Sequence, residues 1–424
     1  MTRSRTVRAI ALGAAALSLA AMIAYLGVWL RVDRLEVGHS DFVPTYVAGT
    51  LLREGHGASI YDTAAERPVY ERLTPGDHLL TILPYMSPPA AAAVAAPLTL
   101  LDLPTAYRVW GLLQLLLLIG ATVLVVRAAP WPATTTGAVR VACGGLALAG
   151  LGTGEALLLG QWDGMLALGL AVAYACWRRG RMATGAAVLG LAAGLTKPHL
   201  CLGLAALLLA WRDRRMILAG LAGVAATVVA GTLVAGPGAW LGMLHANTWE
   251  ATSTARPMTD LVGLVGVGGE IGGQGTAGRL IGYGLAALAV AVAFAVGRRT
   301  RGRPGLLEPA LGCAVLLSLL AAPHILPHDM ALLSPVIAWT LARLAGRDAA
   351  EGQGWPGRWG LRSVALLALL NGAVAVSLTS GRLIDPALVV PPCLLLGAAL
   401  LWLDARGARL RPAVAPVAIR PGCG

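Results

Sequence analysis

The chain has 424 residues, of which 57% are hydrophobic and only 13% charged, and its formal net charge is +12. Ordinary soluble domains carry about twice that share of charged residues, so the composition excludes a soluble globular protein and a disordered chain and indicates a polytopic membrane protein. The positive charge does not indicate nucleic-acid binding, because the arginines form short clusters between apolar runs and no basic, aromatic-bearing domain.

The apolar runs predict an all-α membrane protein, a single integral membrane domain over residues 1–424 with about twelve transmembrane helices. The first run, 7–30, is too long for a secretory signal and is expected to be an uncleaved anchor. Residues 31–103 follow as a large outer loop, in which the apolar segment 88–101 is too short to cross and is predicted to be re-entrant or interfacial. The remaining runs are 104–126, 140–158, 164–177, 183–196, 198–210, 216–235, 277–297, 306–322, 329–345, 362–380 and 388–404.

The arginines predict the orientation, because cytoplasmic loops collect positive charge. They cluster in alternate connections, such as 178–181, 212–215 and 298–303. Both termini, including the tail 405–424, are therefore expected to be cytoplasmic. The runs 183–196 and 198–210 lie between two such clusters, and a 14-residue helix reaches only about 21 Å of the roughly 30 Å core. They are predicted to form a hairpin whose tip lies at or below the outer membrane surface.

The hairpin tip contains Lys197, the only lysine among 33 basic residues, followed closely by His199. A lysine near a helix end can snorkel to the interface. In a chain that otherwise uses arginine, a charge at the tip of two short helices favours a phosphate-binding role.

Asp41 precedes a predicted helix over 43–53. Asp41 or Ser40 is expected to be the N-cap of that helix. A carboxylate that caps a helix next to the membrane surface could still serve as a general base. Gln161, Trp162 and Asp163 lie between two glycines, where a tight turn explains them as well as a ligand contact does.

His324, His328 and Asp329 have the composition of a metal site, but Pro323 and Pro327 prevent the regular helical spacing of such a site, so no metal is expected. The six cysteines are widely spaced and predict neither disulfides nor a zinc site. Several aromatic residues are candidates for sugar stacking or for the aromatic belt of the interface: Tyr46, Tyr61, Tyr85, Trp162 and Trp249.

Several short motifs occur in an order that resembles that of a known protein family. They are DFVPTYVAG at 41–49, LLREG at 51–55, IYD at 60–62, YMSPP at 85–89, APL at 96–98, GQ at 160–161 and TKP at 196–198. In this order the chain resembles the family-87 glycosyltransferases from about residue 38 to 340. The resemblance implies a GT-C-like fold, with short re-entrant or interfacial helices on the outer face and Asp41 as the catalytic base. It also implies a polyprenyl-phosphate sugar donor, with mannose as the sugar in the best-understood members.

The chemistry of such a donor fits the candidate residues. A sugar attached to a lipid monophosphate has a stable anionic leaving group, which Lys197 and Arg256 could stabilise by their charge. Because the donor has no diphosphate to clamp, no metal or other cofactor is expected. The predicted substrate contacts are Tyr46, Tyr85, Gln161, Trp162, Asp163, His199, His324, His328 and Asp329.

The expected partners are the donor, a glycolipid or glycan acceptor and the lipid bilayer, with no nucleic acid. The active site is expected on the outer face of the bacterial cytoplasmic membrane. Two alternatives stay open: a polytopic transporter or lipid flippase, and an inactive family member that acts as a scaffold. Scarce mid-helix charges and the absence of a clear inverted repeat disfavour the transporter.

Overall fold

The computed structural model describes residues 2–75, 82–252, 257–350 and 385–407. In these ranges the chain is all-helical and contains no strand, as predicted. The α-helices are α1 Thr2–Arg31, α2 Arg34–Gly38, α3 Phe42–Arg53, α4 Thr63–Leu73, α5 Pro89–Ala95, α6 Leu103–Ala128, α7 Gly137–Leu148, α8 Leu151–Leu159, α9 Asp163–Arg178, α10 Met182–Leu195, α11 Leu202–Trp211, α12 Arg214–Ala235, α13 Gly238–Thr252, α14 Leu264–Gly272, α15 Thr276–Thr300, α16 Leu307–Ala321, α17 Leu333–Ala350 and α18 Pro386–Gly407. The 3₁₀ segments are Gly57–Ser59, Ala96–Leu100, Pro198–Cys201, Met258–Asp260, Pro304–Leu306 and Pro327–Leu332.

The predicted number of twelve spans is not confirmed. In the described ranges, five helical stretches are long and apolar enough to cross a membrane, or six if α7 and α8, bent by 57°, form one broken span. The five are 103–128, 214–235, 276–300, 304–321 and 386–403. The predicted runs 164–177, 183–196 and 198–210 form the shorter helices α9, α10 and α11, of 16, 14 and 10 residues. The predicted anchor 7–30 lies in α1, which has 30 residues. The predicted span 362–380 and almost all of the predicted tail 405–424 lie outside the described residues.

The two short apolar runs after the arginine cluster at 178–181 form separate helices, α10 and α11, joined through Thr196 and Lys197 and the 3₁₀ turn Pro198–Cys201. Their packing differs from a simple two-helix hairpin. Helix α10 packs mainly against α9 and α12, whereas α11 packs mainly against α15 and α16. The tip is therefore held between two groups of helices and is not an isolated loop.

The predicted outer loop 31–103 is a folded helical layer in its described part, with a hydrophobic core of its own. Phe42, Tyr70, Tyr85 and Trp110 are buried in this core, which joins the layer to α6. Helix α5 and the 3₁₀ turn after it form the segment predicted to be re-entrant or interfacial, and α5 packs against α3 and α12. Burial of these apolar faces fixes the layer over the ends of the longer helices.

Helix α9 connects two polar clusters at its opposite ends. Asp163 begins the helix, and Arg178 ends it. Near the second end, Glu308 accepts a hydrogen bond from the Tyr174 hydroxyl at 2.9 Å and lies 3.4 Å from the Arg178 guanidinium. A helix of 16 residues separates its ends by about 24 Å, so Asp163 and the arginine cluster at 178–181 lie far apart along the axis of α9.

Candidate functional site

A cavity of about 400 Å³ lies between the helical layer formed by residues 31–103, the tip between α10 and α11, and the segment before α17. Its polar lining residues include Asp41, Gln161, Lys197, His199, Asn247, Arg279, His324, His328 and Asp329. Most of the residues predicted from the sequence thus line one cavity. Tyr46 and Asp163 are not among the lining residues, and Arg256 lies outside the described residues.

Lys197 lies between two buried carboxylates. Its Nζ atom is 2.6 Å from Oδ1 of Asp329 and 3.4 Å from both carboxylate oxygens of Asp163. The Asp163 side chain is fully buried and that of Asp329 is 2% exposed, whereas that of Lys197 is 13% exposed. One ammonium and two carboxylates give these three residues a formal charge of −1. Lys197 therefore links α9 to the segment before α17 and also reaches the cavity wall.

The carboxylate of Asp41 faces the turn between α8 and α9. Asp41 occupies the N-cap position of α3, but its side chain makes no capping hydrogen bond. The side-chain amide of Gln161 instead donates to Oδ2 of Asp41. Asp41 is therefore the N-cap residue by position, as predicted, but not through its side chain, and the Ser40 hydroxyl donates to the carbonyl of Val37. The Asp41 carboxylate thus lines the cavity and is held by Gln161.

The position of Gln161 depends on a left-handed turn at Gly160. This glycine ends α8 with φ of +69°, a conformation that favours glycine. A Cβ at this position would lie 2.7 Å from the Cβ of Phe42, and the Gly160 carbonyl accepts a 2.8 Å hydrogen bond from the Trp110 indole. The predicted tight turn is confirmed, and it is locked against the start of α3 next to Asp41.

The predicted aromatic contacts separate into two groups. Trp162 and Tyr85 line the cavity. The Trp162 indole donates to Thr45 at 3.3 Å, and its ring lies edge-on against Trp110 with centroids 4.6 Å apart. Tyr46 packs in the outer layer, where its hydroxyl donates to the carbonyl of Leu101 at 2.7 Å.

The histidines surround the tip that contains Lys197. His199, His324 and His328 all line the cavity, and Nε2 of His328 is 3.5 Å from Oδ1 of Asp329. The other oxygen of Asp329 accepts the backbone N–H of Leu326 at 2.9 Å. Across the described part of the chain, no group of three or more His, Cys, Asp or Glu residues is arranged to hold a metal ion.

The sequence predicted Tyr85 in the irregular segment 83–88, and the structure shows that the whole segment lines the cavity. Two other wall elements were not predicted, namely Asn247 on α13, and Arg279 with Tyr283 on α15. Arg279 had one signal: it stands at the end of an apolar run whose other end carries the arginine cluster 298–303. Asn247 reaches the cavity only through the packing of α13 and had no comparable signal.

One part of the cavity wall is apolar. Met243 and Leu244 of α13 and Tyr283 of α15 contribute to it, together with Met258, Leu261 and Val265. Leu244 and Tyr283 are also 55% and 41% exposed, so this wall continues onto the outside of the protein. The cavity therefore combines a charged part with an apolar part that is open to the outside of the protein.

Comparison with known proteins gives one match. A family model described as glycosyltransferase family 87 matches residues 85–323, which is more than half of the chain. No curated protein and no solved structure matches the chain. The matched range contains Gln161, Lys197 and Arg279, whereas Asp41 precedes it and Asp329 follows it.

Proposed function

Because the chain belongs to glycosyltransferase family 87, we propose that it is a membrane enzyme that moves a sugar, with mannose favoured, from a polyprenyl-phosphate donor to an acceptor. The acceptor in this proposal is a lipid-linked or cell-envelope glycan. The proposal places the site on the outer face of the bacterial cytoplasmic membrane, with both termini in the cytoplasm. No cofactor takes part, since the donor already carries an activated sugar.

One observation carries this proposal: a carboxylate and an ammonium group line the same cavity, which also has an apolar and partly exposed wall. Asp41 is the carboxylate and Lys197 the ammonium. A lipid-linked sugar phosphate has an apolar tail, one anionic phosphodiester and a polar sugar. The cavity offers a matching environment for each part, and its arrangement favours a lipid donor over a water-soluble one.

In the proposed reaction, Asp41 is the general base. The acceptor hydroxyl attacks the anomeric carbon and transfers its proton to the Asp41 carboxylate, while the bond from that carbon to the phosphate oxygen breaks. The amide of Gln161 orients the carboxylate by donating to its Oδ2 atom. General-base assistance of this kind contributes about 10²–10⁴ in rate. A single displacement inverts the anomeric centre, so a β-linked donor gives an α-linked product.

The polyprenyl phosphate departs as an anion, so positive charge at the cavity wall assists the reaction. An ammonium group has three N–H donors. One donates to Asp329 at 2.6 Å, and the two contacts of 3.4 Å to the Asp163 carboxylate are assigned to a second, shared N–H. We assign the remaining N–H to a phosphate oxygen of the donor. Arg279 lines the same cavity and supplies a second cation. His199, His324 and His328 are proposed contacts for the sugar hydroxyls.

The proposal is tested by transfer from polyprenyl-phosphate-mannose to membrane glycolipid acceptors in proteoliposomes, with products detected by mass spectrometry. Asp41→Asn is expected to lose at least about 100-fold in turnover while still binding the donor. Glu71→Gln is a suitable control, because this carboxylate is exposed on α4 of the same outer layer. Wild-type turnover in Asp41→Asn would disprove the base assignment. Donor binding without any product, from mannose or pentose donors, would favour a transporter.

A further inference from the structure

We propose that Glu66 is a positioning residue, which holds the cavity-lining segment 82–88 in place through the backbone N–H of Tyr85. This inference rests on the proposed function only for its kinetic consequence. Glu66 does not line the cavity, and it precedes the range matched by the family model. It belongs to α4, in the outer helical layer.

The segment 82–88 needs external support, because it forms no regular secondary structure. Residues 83–88 nevertheless all line the cavity. Backbone groups of an irregular, partly buried segment must find partners outside it. The position of this wall is therefore determined by whatever holds those groups.

Helix α4 and the turn before it supply three of the partners. The Tyr70 hydroxyl donates to the carbonyl of Leu83 at 2.7 Å, and the Tyr61 hydroxyl donates to that of Ser87. Between these two points, Oε1 of Glu66 accepts the N–H of Tyr85 at 3.0 Å. Glu66 and Tyr70 are four residues apart and so lie on one face of α4. Of these three contacts, only the one from Glu66 satisfies a backbone donor.

The wall has a further support on its other side. The side-chain amide of Asn247, on α13, donates to the carbonyl of Met86 at 3.2 Å. The Tyr85 hydroxyl donates to the carbonyl of Pro88 at 3.0 Å, which joins the segment to the start of α5. The segment is thus held between α4 and α13, and Glu66 contacts its centre.

The burial of Glu66 is energetically unfavourable for a carboxyl group unless that group makes a specific contact. The residue is fully buried, and its Oε2 atom has no hydrogen-bond partner. Burial raises its pKa to about 7, opposed by the Tyr85 N–H and reinforced by the charge of Asp62. The neighbouring titratable groups are Tyr61 and Tyr70. A leucine would pack there without desolvating a polar group, so the acceptor oxygen is the useful feature.

The test compares Glu66→Leu, which removes the acceptor, with Glu66→Gln, which keeps a carbonyl oxygen. Glu71→Leu is the matched control, because Glu71 is exposed on the same helix. Hydrogen exchange of amides 82–88 is measured in detergent-purified full-length protein. We expect Glu66→Leu to speed exchange there by about tenfold, the equivalent of one hydrogen bond, with little change in α6 and α15. Glu66→Gln is expected to restore most of the protection.

The kinetic part uses polyprenyl-phosphate-mannose with the same variants. Glu66→Leu is expected to raise KM or lower kcat/KM about tenfold, with Glu66→Gln near wild type. The pH dependence of kcat/KM provides a second kinetic test, because the ionised carboxylate of Glu66 accepts a stronger hydrogen bond than the protonated carboxyl group does. Wild-type kcat/KM should therefore gain a component as pH rises through about 7, and this component should be absent in Glu66→Gln.

Unchanged exchange of amides 82–88 in Glu66→Leu would overturn the proposal. Exchange that rises equally in all helices would also overturn it, because that pattern indicates general destabilisation. Faster local exchange with unaltered kinetics would reject the positioning role. Failure of the proposed function is distinguishable, since wild-type protein would then make no product whatever the exchange of its amides.

Discussion

Replacing Lys197 with methionine should destabilise the protein before any effect on substrate is considered. Methionine keeps the length of the side chain and removes the ammonium between Asp163 and Asp329. The formal charge of the three residues changes from −1 to −2, with both carboxylates essentially buried. Removing one partner of a buried ion pair costs about 3–5 kcal/mol, because a charge is left without compensation. Lys197 is therefore expected to carry stability as well as function.

A double variant separates the role of Lys197 in stability from its role in function, because removing one carboxylate compensates for the lost ammonium charge. Thermal unfolding in detergent is followed by tryptophan fluorescence for wild type, Lys197→Met, Asp329→Asn and the double variant. The double variant returns the charge to −1 and should regain part of the lost stability, so that the two effects are not additive. Activity should stay low in both variants that lack the lysine.

Two results would contradict this expectation. Unfolding of Lys197→Met at the wild-type temperature would mean that the ammonium does not compensate these carboxylates. Strict additivity in the double variant would mean that Lys197 and Asp329 do not interact, despite the distance of 2.6 Å.

Three further predictions follow from other parts of the molecule. Gly160→Ala should lower the free energy of unfolding by about 1–3 kcal/mol and also lower turnover, because the new Cβ would lie 2.7 Å from that of Phe42. Unfolding and transfer assays measure these two effects, and wild-type values in both would show that the turn at Gly160 tolerates a side chain. Arg279→Gln should raise KM for the lipid donor about tenfold with a smaller change in kcat, and an unaltered KM would remove it from the donor site. In a cysteine-free background, a cysteine introduced at Glu71 should react with a membrane-impermeant reagent added from outside, and one introduced at Arg179 should not. Both positions are exposed, so the reverse result would mean that the predicted orientation in the membrane is inverted.

The sequence was sufficient for the candidate residues that stand at element boundaries. The GQWDG turn and the single lysine at a break between two apolar runs were recognisable because breaks in an apolar pattern mark ends of helices. The structure places Gln161, Trp162 and Lys197 at one cavity. Asp41 is the N-cap residue of α3, as the sequence predicted, but the partner of its side chain comes from the tertiary structure: Gln161, 120 positions later in the chain, donates to its carboxylate.

The span count was less predictable, because hydropathy measures whether a segment is apolar and not what covers it. The stretch 304–321 has an apolar window that is 83% buried, while that of 214–235 is only 17% buried, although both pass as spans. Short helices such as α10 and α11 have the same apolar composition as the longer helices that pass as spans. Short helices differ from spans in their length and in the helices that they pack against. The length can be read from the sequence, whereas the packing partners require the structure.

By itself, the sequence determined the class of protein, the all-helical architecture and the polar turns that form the cavity, because composition and periodicity are local properties of the chain. The tertiary structure decided which of those groups interact. It gave Lys197 two carboxylate partners, left Asp163 behind the cavity wall, and brought Glu66 under a segment that the hydropathy pattern does not describe. These contacts join residues between 19 and 132 positions apart, and such pairings depend on how helices pack and not on what any one helix contains.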